Sequence, residues 1–115
     1  MAWRVVVRRG PQVERLRAES LPEALDLLEN RVRQVAMGPR PDAVDVRVRR
    51  YEPGDLVWAR AEVKGPQRFS PDIRAGVDLR GDGSVVAWTG SVRRASVDPA
   101  GGESPYDALR RALEG

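Results

Sequence analysis

The sequence contains no histidine and no cysteine, and of its 20 basic residues only Lys64 is a lysine. Histidine is the usual general base and zinc ligand near neutral pH, while cysteine and desolvated lysine are the readily activated nucleophiles. The remaining basic groups are arginines, which stay protonated and bind anions but cannot act as a base. These absences exclude most acid–base, thiol and metallohydrolase mechanisms. We therefore expect no enzymatic activity, no catalytic residue, no metal site and no cofactor.

Aromatic residues and long apolar runs are also scarce. Aromatic side chains make up 5% of the 115 residues, and no apolar run approaches the roughly 20 residues that cross a bilayer. The N-terminal MAWRVVVRRG lacks the long apolar stretch of a secretory signal. We expect one domain over residues 1–115, located in the cytoplasm and without membrane contact.

The charge balance is less one-sided than the isoelectric point suggests. The net charge is +3 with 20 basic and 17 acidic residues, and the sequence pI near 10.1 mainly reflects the high pKa of arginine. A GC-rich coding bias would also favour arginine over lysine. Nucleic-acid binding depends on how the positive charge is distributed rather than on its sum.

The first third of the chain predicts a hairpin followed by a helix. Trp3–Arg8 is rich in valine, Gly10-Pro11 forms a turn, and Val13–Ala18 returns as a second strand. Ser20 and Glu23 make a capping-box pattern that begins a helix. The helix carries one apolar stripe and ends near Gly38, and the stripe consists of Leu21, Leu25, Leu28, Val32 and Val35.

Alternation with period two predicts a strand over residues 43–51 and a Pro-Gly turn over 52–55, with residues 56–64 returning antiparallel. This register places Val44, Val46 and Val48 opposite Val63, Ala61 and Ala59 on the buried face. On the solvent face it places Arg49 opposite Trp58, Arg47 opposite Arg60, and Asp45 opposite Glu62. Trp58 is therefore expected to be exposed among arginines.

The last third predicts a second hairpin and a closing helix. Residues 65–72 are expected to form a loop, and Asp82-Gly83 indicates a two-residue type I′ turn that pairs Val77 with Trp88. Trp88 is then expected in the core that faces the helix. Ser104 caps a short C-terminal helix, so the predicted fold is an α+β two-layer sandwich of order ββαββββα, with helices on one face of an antiparallel sheet.

Three functions remain open for these surfaces. The first is contact with a protein partner or a homo-oligomer through the sheet face or an edge strand, because exposed tryptophan among arginines often marks protein interfaces. The expected interaction residues are Trp58, Arg47, Arg49, Arg60 and Arg74. In a purely structural interpretation, Arg49 stacks on Trp58 and neighbouring charges pair across the strands.

The second function is nucleic-acid binding by the same face, with Trp58 stacking on a base and arginines holding phosphates, extended by Arg4, Arg8 and Arg9. Charges on the N-terminal hairpin would equally protect an edge strand from unwanted pairing. The third function is a small-ligand cavity between sheet and helix near Trp88. Asp45 and Glu62 form the only carboxylate pair that suggests acid–base chemistry or a cation site, but an open sheet face encloses no reaction.

Overall fold

The structure is a computed structural model and describes residues 2–38, 57–65, 74–90 and 94–114. These residues form an antiparallel sheet and two helices, which confirms the predicted α+β class and the order ββαββββα. The elements are β1 (Trp3–Arg9), β2 (Gln12–Ala18), α1 (Leu21–Met37), β3 (Val57–Lys64), β4 (Arg74–Arg80), β5 (Val85–Thr89), β6 (Ala95–Val97) and α2 (Pro105–Glu114).

The strand order in the sheet is β2-β1-β3-β4-β5-β6, and all neighbouring strands are antiparallel. The N-terminal hairpin therefore joins the rest of the sheet through β1, next to β3, and β2 and β6 are the edge strands. The sequence left this placement undetermined. Residues 95–97 pair with β5 as the separate edge strand β6.

The predicted strand over 43–51 and the turn over 52–55 lie outside the described residues, as do Arg47 and Arg49. The pairing expected for that strand is nevertheless wrong on the β3 side. Ala59, Ala61 and Val63 pair with β1 along one edge of β3 and with β4 along the other. Since a strand has two hydrogen-bonding edges, both edges of β3 are occupied by described strands.

Both helices pack on the same side of the sheet, which we call the inner face; the opposite side is the outer face. The Ser20 hydroxyl accepts a hydrogen bond from the Glu23 amide at 3.3 Å, so the cap begins α1 as predicted. The Glu23 carboxylate reaches one residue further back than a capping box requires and accepts from the Glu19 amide at 2.9 Å. The buried residues of α1 are Ala24, Leu25, Leu28 and Val32.

The second helix begins at a similar cap, where the Ser104 hydroxyl accepts from the Asp107 amide at 3.1 Å. Its buried residues Tyr106 and Leu109 join α1 and the sheet in one core. The sheet contributes alternate residues to that core, and these are Val5, Val7, Ala59, Ala61, Val63, Ala75, Val77, Leu79 and Ala87.

The predicted position of Trp88 is wrong, because the β4–β5 hairpin has a different register. Arg80 pairs with Ser84, and Gly83, with φ 89°, closes a loop of three residues instead of two. A three-residue loop of this kind uses a glycine in the left-handed conformation at its last position. The register moves by one residue, so Trp88 lies opposite Gly76 on the outer face while Ala87 takes the inner position opposite Val77.

The predicted exposure of Trp58 is also wrong. The pairing of β3 with β4 shifts between Val57, opposite Arg80, and Ala59, opposite Leu79, so Trp58 is the extra residue of a β-bulge. A bulge interrupts the alternation of side chains. Trp58 and Ala59 are consecutive, and both are buried in the inner core at 7% and 4% exposure.

Candidate functional site

The outer face carries a concentration of positive charge that the linear sequence conceals. Cross-strand partners lie on the same face, so the registers arrange its side chains in transverse rows. The first row contains Arg17, Arg4, Lys64 and Arg74; the second contains Arg15, Val6, Glu62, Gly76, Trp88 and Ser96; the third contains Val13, Arg8, Arg60, Asp78 and Val86. These rows hold seven cations and two carboxylates.

Four pairs of directly opposed residues on this face have the same positive charge. Arg4 lies opposite Arg17 on one side and Lys64 on the other, Lys64 lies opposite Arg74, and Arg8 lies opposite Arg60. Directly opposed like charges destabilise a sheet by some tenths of a kcal/mol each. Two of the cations in these pairs, Arg60 and Arg74, also have a carboxylate partner on the same face.

Both carboxylates in these rows already have cationic partners. Asp78 accepts two hydrogen bonds from Arg60, at 2.7 and 3.1 Å, and Glu62 pairs with Arg74. The bonds with Asp78 raise the pKa of Arg60, so this cation stays charged. In contrast, Arg8, Arg15 and Arg17 form no ion pair with any described carboxylate, and their side chains are exposed.

On the β4–β5 part of the outer face, neighbouring residues enclose the Trp88 ring. Its indole Nε1 donates to Asp78 Oδ1 at 3.1 Å, the Arg94 guanidinium lies 4.5 Å from the ring centroid, and the ring packs over Gly76. Trp88 is only 3% exposed. The ring is therefore a structural part of the face and is not presented for stacking on a ligand.

The expected interaction residues are only partly brought together. Arg60 and Arg74 lie on the outer face, where each holds a carboxylate, and Trp58 is buried on the inner side. Trp58 therefore cannot stack on a base or anchor a protein interface. Arg47 and Arg49 fall outside the described residues, and the predicted stacking of Arg49 on Trp58 falls outside them as well.

The expected nucleic-acid contacts divide between the two faces. Arg4 and Arg8 lie on the outer face, whereas Arg9 alternates to the inner face opposite Gln12. The sequence-based set omitted Arg15, Arg17 and Lys64. The hairpin register that opposes Arg4 and Arg17 follows from the Gly10-Pro11 turn, so these two could have been found, but Lys64 joins them only through the β1–β3 pairing.

An open cavity of about 450 Å³ lies between the β1–β2 hairpin and the C-terminal half of α1. Its lining includes Val7 and Arg9 from β1, three consecutive β2 residues, and Arg31, Gln34 and Val35 from α1. The expected cavity near Trp88 is wrong in position, because Trp88 lies on the other side of the sheet.

The carboxylate pair expected from the sequence has only one described member, Glu62. Glu62 pairs with Arg74, while its expected partner Asp45 lies outside the described ranges, and no group of three carboxylates within them is close enough to hold a metal ion. Neither α1 nor α2 is long and apolar enough to cross a membrane. Searches of known protein families, curated proteins and solved structures find no match for this chain.

Proposed function

We propose that this chain is a non-enzymatic nucleic-acid-binding module that holds the phosphate backbone on the β2–β1–β3 part of its outer face. The observation that carries the proposal is that Arg8, Arg15 and Arg17 lie exposed on this face and form no ion pair with a described carboxylate. Exposed guanidinium groups on one face match the closely spaced negative charges of a nucleic acid. Neighbouring strands are about 4.8 Å apart, so the first row spreads four cations over roughly 14 Å.

The mode of binding follows from which groups are exposed. Arg8, Arg15 and Arg17 present guanidinium groups that can donate two hydrogen bonds to one phosphate. Trp88, the aromatic residue in the rows, is buried and engaged by Asp78 and Arg94. We therefore expect binding with little dependence on base sequence, since phosphate contacts carry no sequence information.

Self-assembly through the outer face is a weaker explanation of the same surface. Two copies meeting face to face would oppose arginine rows, and Trp58, the expected anchor of such an interface, is buried. Charge of one sign suits a partner of the other sign. In light scattering without nucleic acid, we expect a monomer.

The proposal is tested by fluorescence anisotropy with labelled 20-nucleotide single-stranded DNA, RNA and a DNA duplex, each at several salt concentrations. We expect binding at low salt that falls steeply as salt rises, because each phosphate contact releases counterions. The double variant R15Q/R17Q should lower the slope of log K against log salt by about 1 to 2.

The control of equal charge is R31Q/R33Q, which removes two ion-paired arginines of α1, on the helical side. If the outer face is the site, R31Q/R33Q changes the slope much less than R15Q/R17Q. Equal effects of the two variants would mean that only net charge matters. Absence of binding at low ionic strength, or binding to heparin but to none of the oligonucleotides, would contradict the proposal.

A further inference from the structure

The edge strand β2 and the helix α1 form the two walls of a groove beside the proposed nucleic-acid surface, with which it shares Arg15 and Arg17 at the strand edge. Among the described strands β2 pairs with β1 alone, so its other edge carries backbone groups without a strand partner. The 450 Å³ cavity contacts Gln12, Val13 and Glu14 in succession. Because their side chains alternate between faces, an opening that touches all three reaches the edge of the strand.

We propose that this groove binds an extended acidic peptide, which adds to the sheet as an antiparallel strand beside β2. A strand in this position would form main-chain hydrogen bonds with the free edge, the mode called β-augmentation. Its alternate side chains would point to the two faces of the sheet. The peptide side chains on the outer face and those on the inner face would therefore contact different residues.

The outer-face side chains of the added strand lie next to Arg15 and Arg17. Both arginines are exposed and form no ion pair with a described carboxylate, so acidic residues are preferred at these positions. The inner-face side chains lie next to Leu16 and the cavity, where Val7 and Val35 provide apolar surface. The rest of the lining is polar, and Glu14 of β2 pairs with Arg31 of α1 at 3.1 Å, so the peptide must lie beside this ion pair. The favoured peptide therefore alternates acidic and apolar residues.

A second copy of this chain is a poor occupant of the same edge. In an antiparallel pair of β2 strands, residues of one face oppose residues of the same face in the partner. A register centred on Arg15 opposes this arginine to itself, one centred on Leu16 opposes Arg15 to Arg17, and one centred on Glu14 opposes two glutamates. Every register that overlaps most of β2 thus places like charges together.

The test uses the full chain and the acetylated, amidated peptide Glu-Val-Glu-Val-Glu-Val, with ¹⁵N-resolved amide hydrogen exchange as the readout. We expect alternate amides within Gln12–Ala18 to be protected about tenfold or more by saturating peptide, because the added strand caps them. Two control peptides separate pairing from charge. The first replaces the central valine by proline, which removes a backbone donor but keeps the charge; the second replaces glutamate by lysine.

Two variants locate the site. The Q34W substitution places a large ring in the cavity from an exposed position of α1 and should weaken binding about tenfold or more, while N30W, also exposed on α1 but outside the cavity lining, should not. The reversal R15E/R17E should favour the lysine peptide over the glutamate peptide.

Protection of β2 by the glutamate peptide but not by the proline peptide supports the proposal. If the glutamate peptide and the proline peptide bind equally, and amide exchange changes at Arg8 and Lys64 but not in β2, the peptides adsorb to the outer face. That result would overturn the proposal. The R8E variant distinguishes the two sites, because it should weaken oligonucleotide binding and leave the protection of β2 unchanged. Because both surfaces use Arg15 and Arg17, the variants R8E and Q34W, which each touch one site only, separate failure of one proposal from failure of the other.

Discussion

At the residue scale, the two tryptophans Trp58 and Trp88 are both buried but differ in their polar contacts. Trp88 Nε1 donates to Asp78, whereas Trp58 Nε1 is buried without a hydrogen-bond partner among the described residues. Burying an unpaired donor costs free energy, and removing a donor from a charged acceptor costs more. The indole N–H of Trp88 therefore stabilises the fold, whereas the unpaired indole N–H of Trp58 destabilises it.

Phenylalanine substitutions measure this difference. Both W58F and W88F remove similar volume and the indole N–H, but only W88F takes a donor from Asp78. We expect W88F to lower the free energy of unfolding by about 1 to 3 kcal/mol more than W58F, measured by urea denaturation. An equal loss in the two variants would show that the Trp88–Asp78 bond adds no net stability.

Gly76 is the second residue with a specific steric role. An added Cβ would collide with the carbonyl oxygen of Ala61 and lie 2.8 Å from Cζ2 of Trp88. We expect G76A to lower the free energy of unfolding by about 1 to 3 kcal/mol, because backbone and ring must both move. The control is G101A, where nothing lies within 4 Å. Comparable urea midpoints for the two variants would contradict the close packing of β3, β4 and Trp88.

At the element scale, the two helices are joined by a charged seam on the protein surface. Arg110 of α2 pairs with Glu29 at 2.7 Å and Asp26 at 2.9 Å on α1, and the Arg33 guanidinium lies 4.9 Å from the Tyr106 ring centroid. Partial burial raises the pKa of Glu29, but the hydrogen bonds and charges of Arg110 and Arg33 outweigh this and leave the pKa below its usual value.

The ion pairs between α1 and α2 should make the free energy of unfolding depend on pH. The lowered pKa of Glu29 means that the folded state favours the ionised form. The resulting stabilisation is present above the pKa of the unfolded chain and is lost as pH falls through the folded-state pKa. We expect E29Q to lower the free energy of unfolding by up to about 1 kcal/mol at pH 7, and its deficit to shrink toward pH 3.

Urea denaturation of wild type, E29Q, R110Q and the double variant between pH 7 and pH 3 measures this contribution. The two single losses should not add in the double variant, because both remove the same pair. Additive losses, or an E29Q deficit that does not change with pH, would show that Glu29 acts through packing instead of charge.

Helices and turns could be predicted from the sequence, whereas the registers of the strands that carry Trp58 and Trp88 could not. Particular residues explain the difference. The caps at Ser20 and Ser104, the Gly10-Pro11 turn and the apolar stripe of α1 act over a few residues, so local chemistry revealed them. The position of Trp88 depended on whether the loop at Gly83 had two or three residues, and that of Trp58 on a bulge. The assembly of the basic rows depended on β1 lying beside β3, which no local signal encodes.

At the scale of the whole molecule, the net charge is only +3, yet the described part of the outer face carries seven cations and two carboxylates. Arg110 and Arg111 pair with acidic residues in the helical layer, and Arg60 and Arg74 pair with acidic residues on the outer face, where Arg8, Arg15 and Arg17 have no described carboxylate partner. The composition does not reveal this concentration of cations on one described face.

Removing one of two opposed cations should change the free energy of unfolding of the protein without nucleic acid. We expect R17Q to raise the free energy of unfolding by some tenths of a kcal/mol at low salt, because Arg17 directly opposes Arg4. The gain should largely disappear at about 0.5 M NaCl, where exposed charges are screened.

The contrasting variant is R111Q, which removes hydrogen bonds to Glu103 and should destabilise the protein at low salt. Thermal unfolding at two salt concentrations compares the two variants. A destabilising effect of R17Q at low salt would mean that the opposed arginines are not strained.

The β1–β3 ladder has a consequence for how the chain reaches this structure. β1, β2 and α1 are neighbours in sequence, as are β3, β4 and β5, so each group can organise through short-range contacts. The ladder that joins Arg4–Arg9 to Ala59–Lys64 must close a far longer loop, which makes it slower to form. We therefore expect the β1–β3 ladder to form last in folding. Until it forms, the facing edges of β1 and β3 are unpaired, and a nascent chain can mispair with neighbouring chains at these edges.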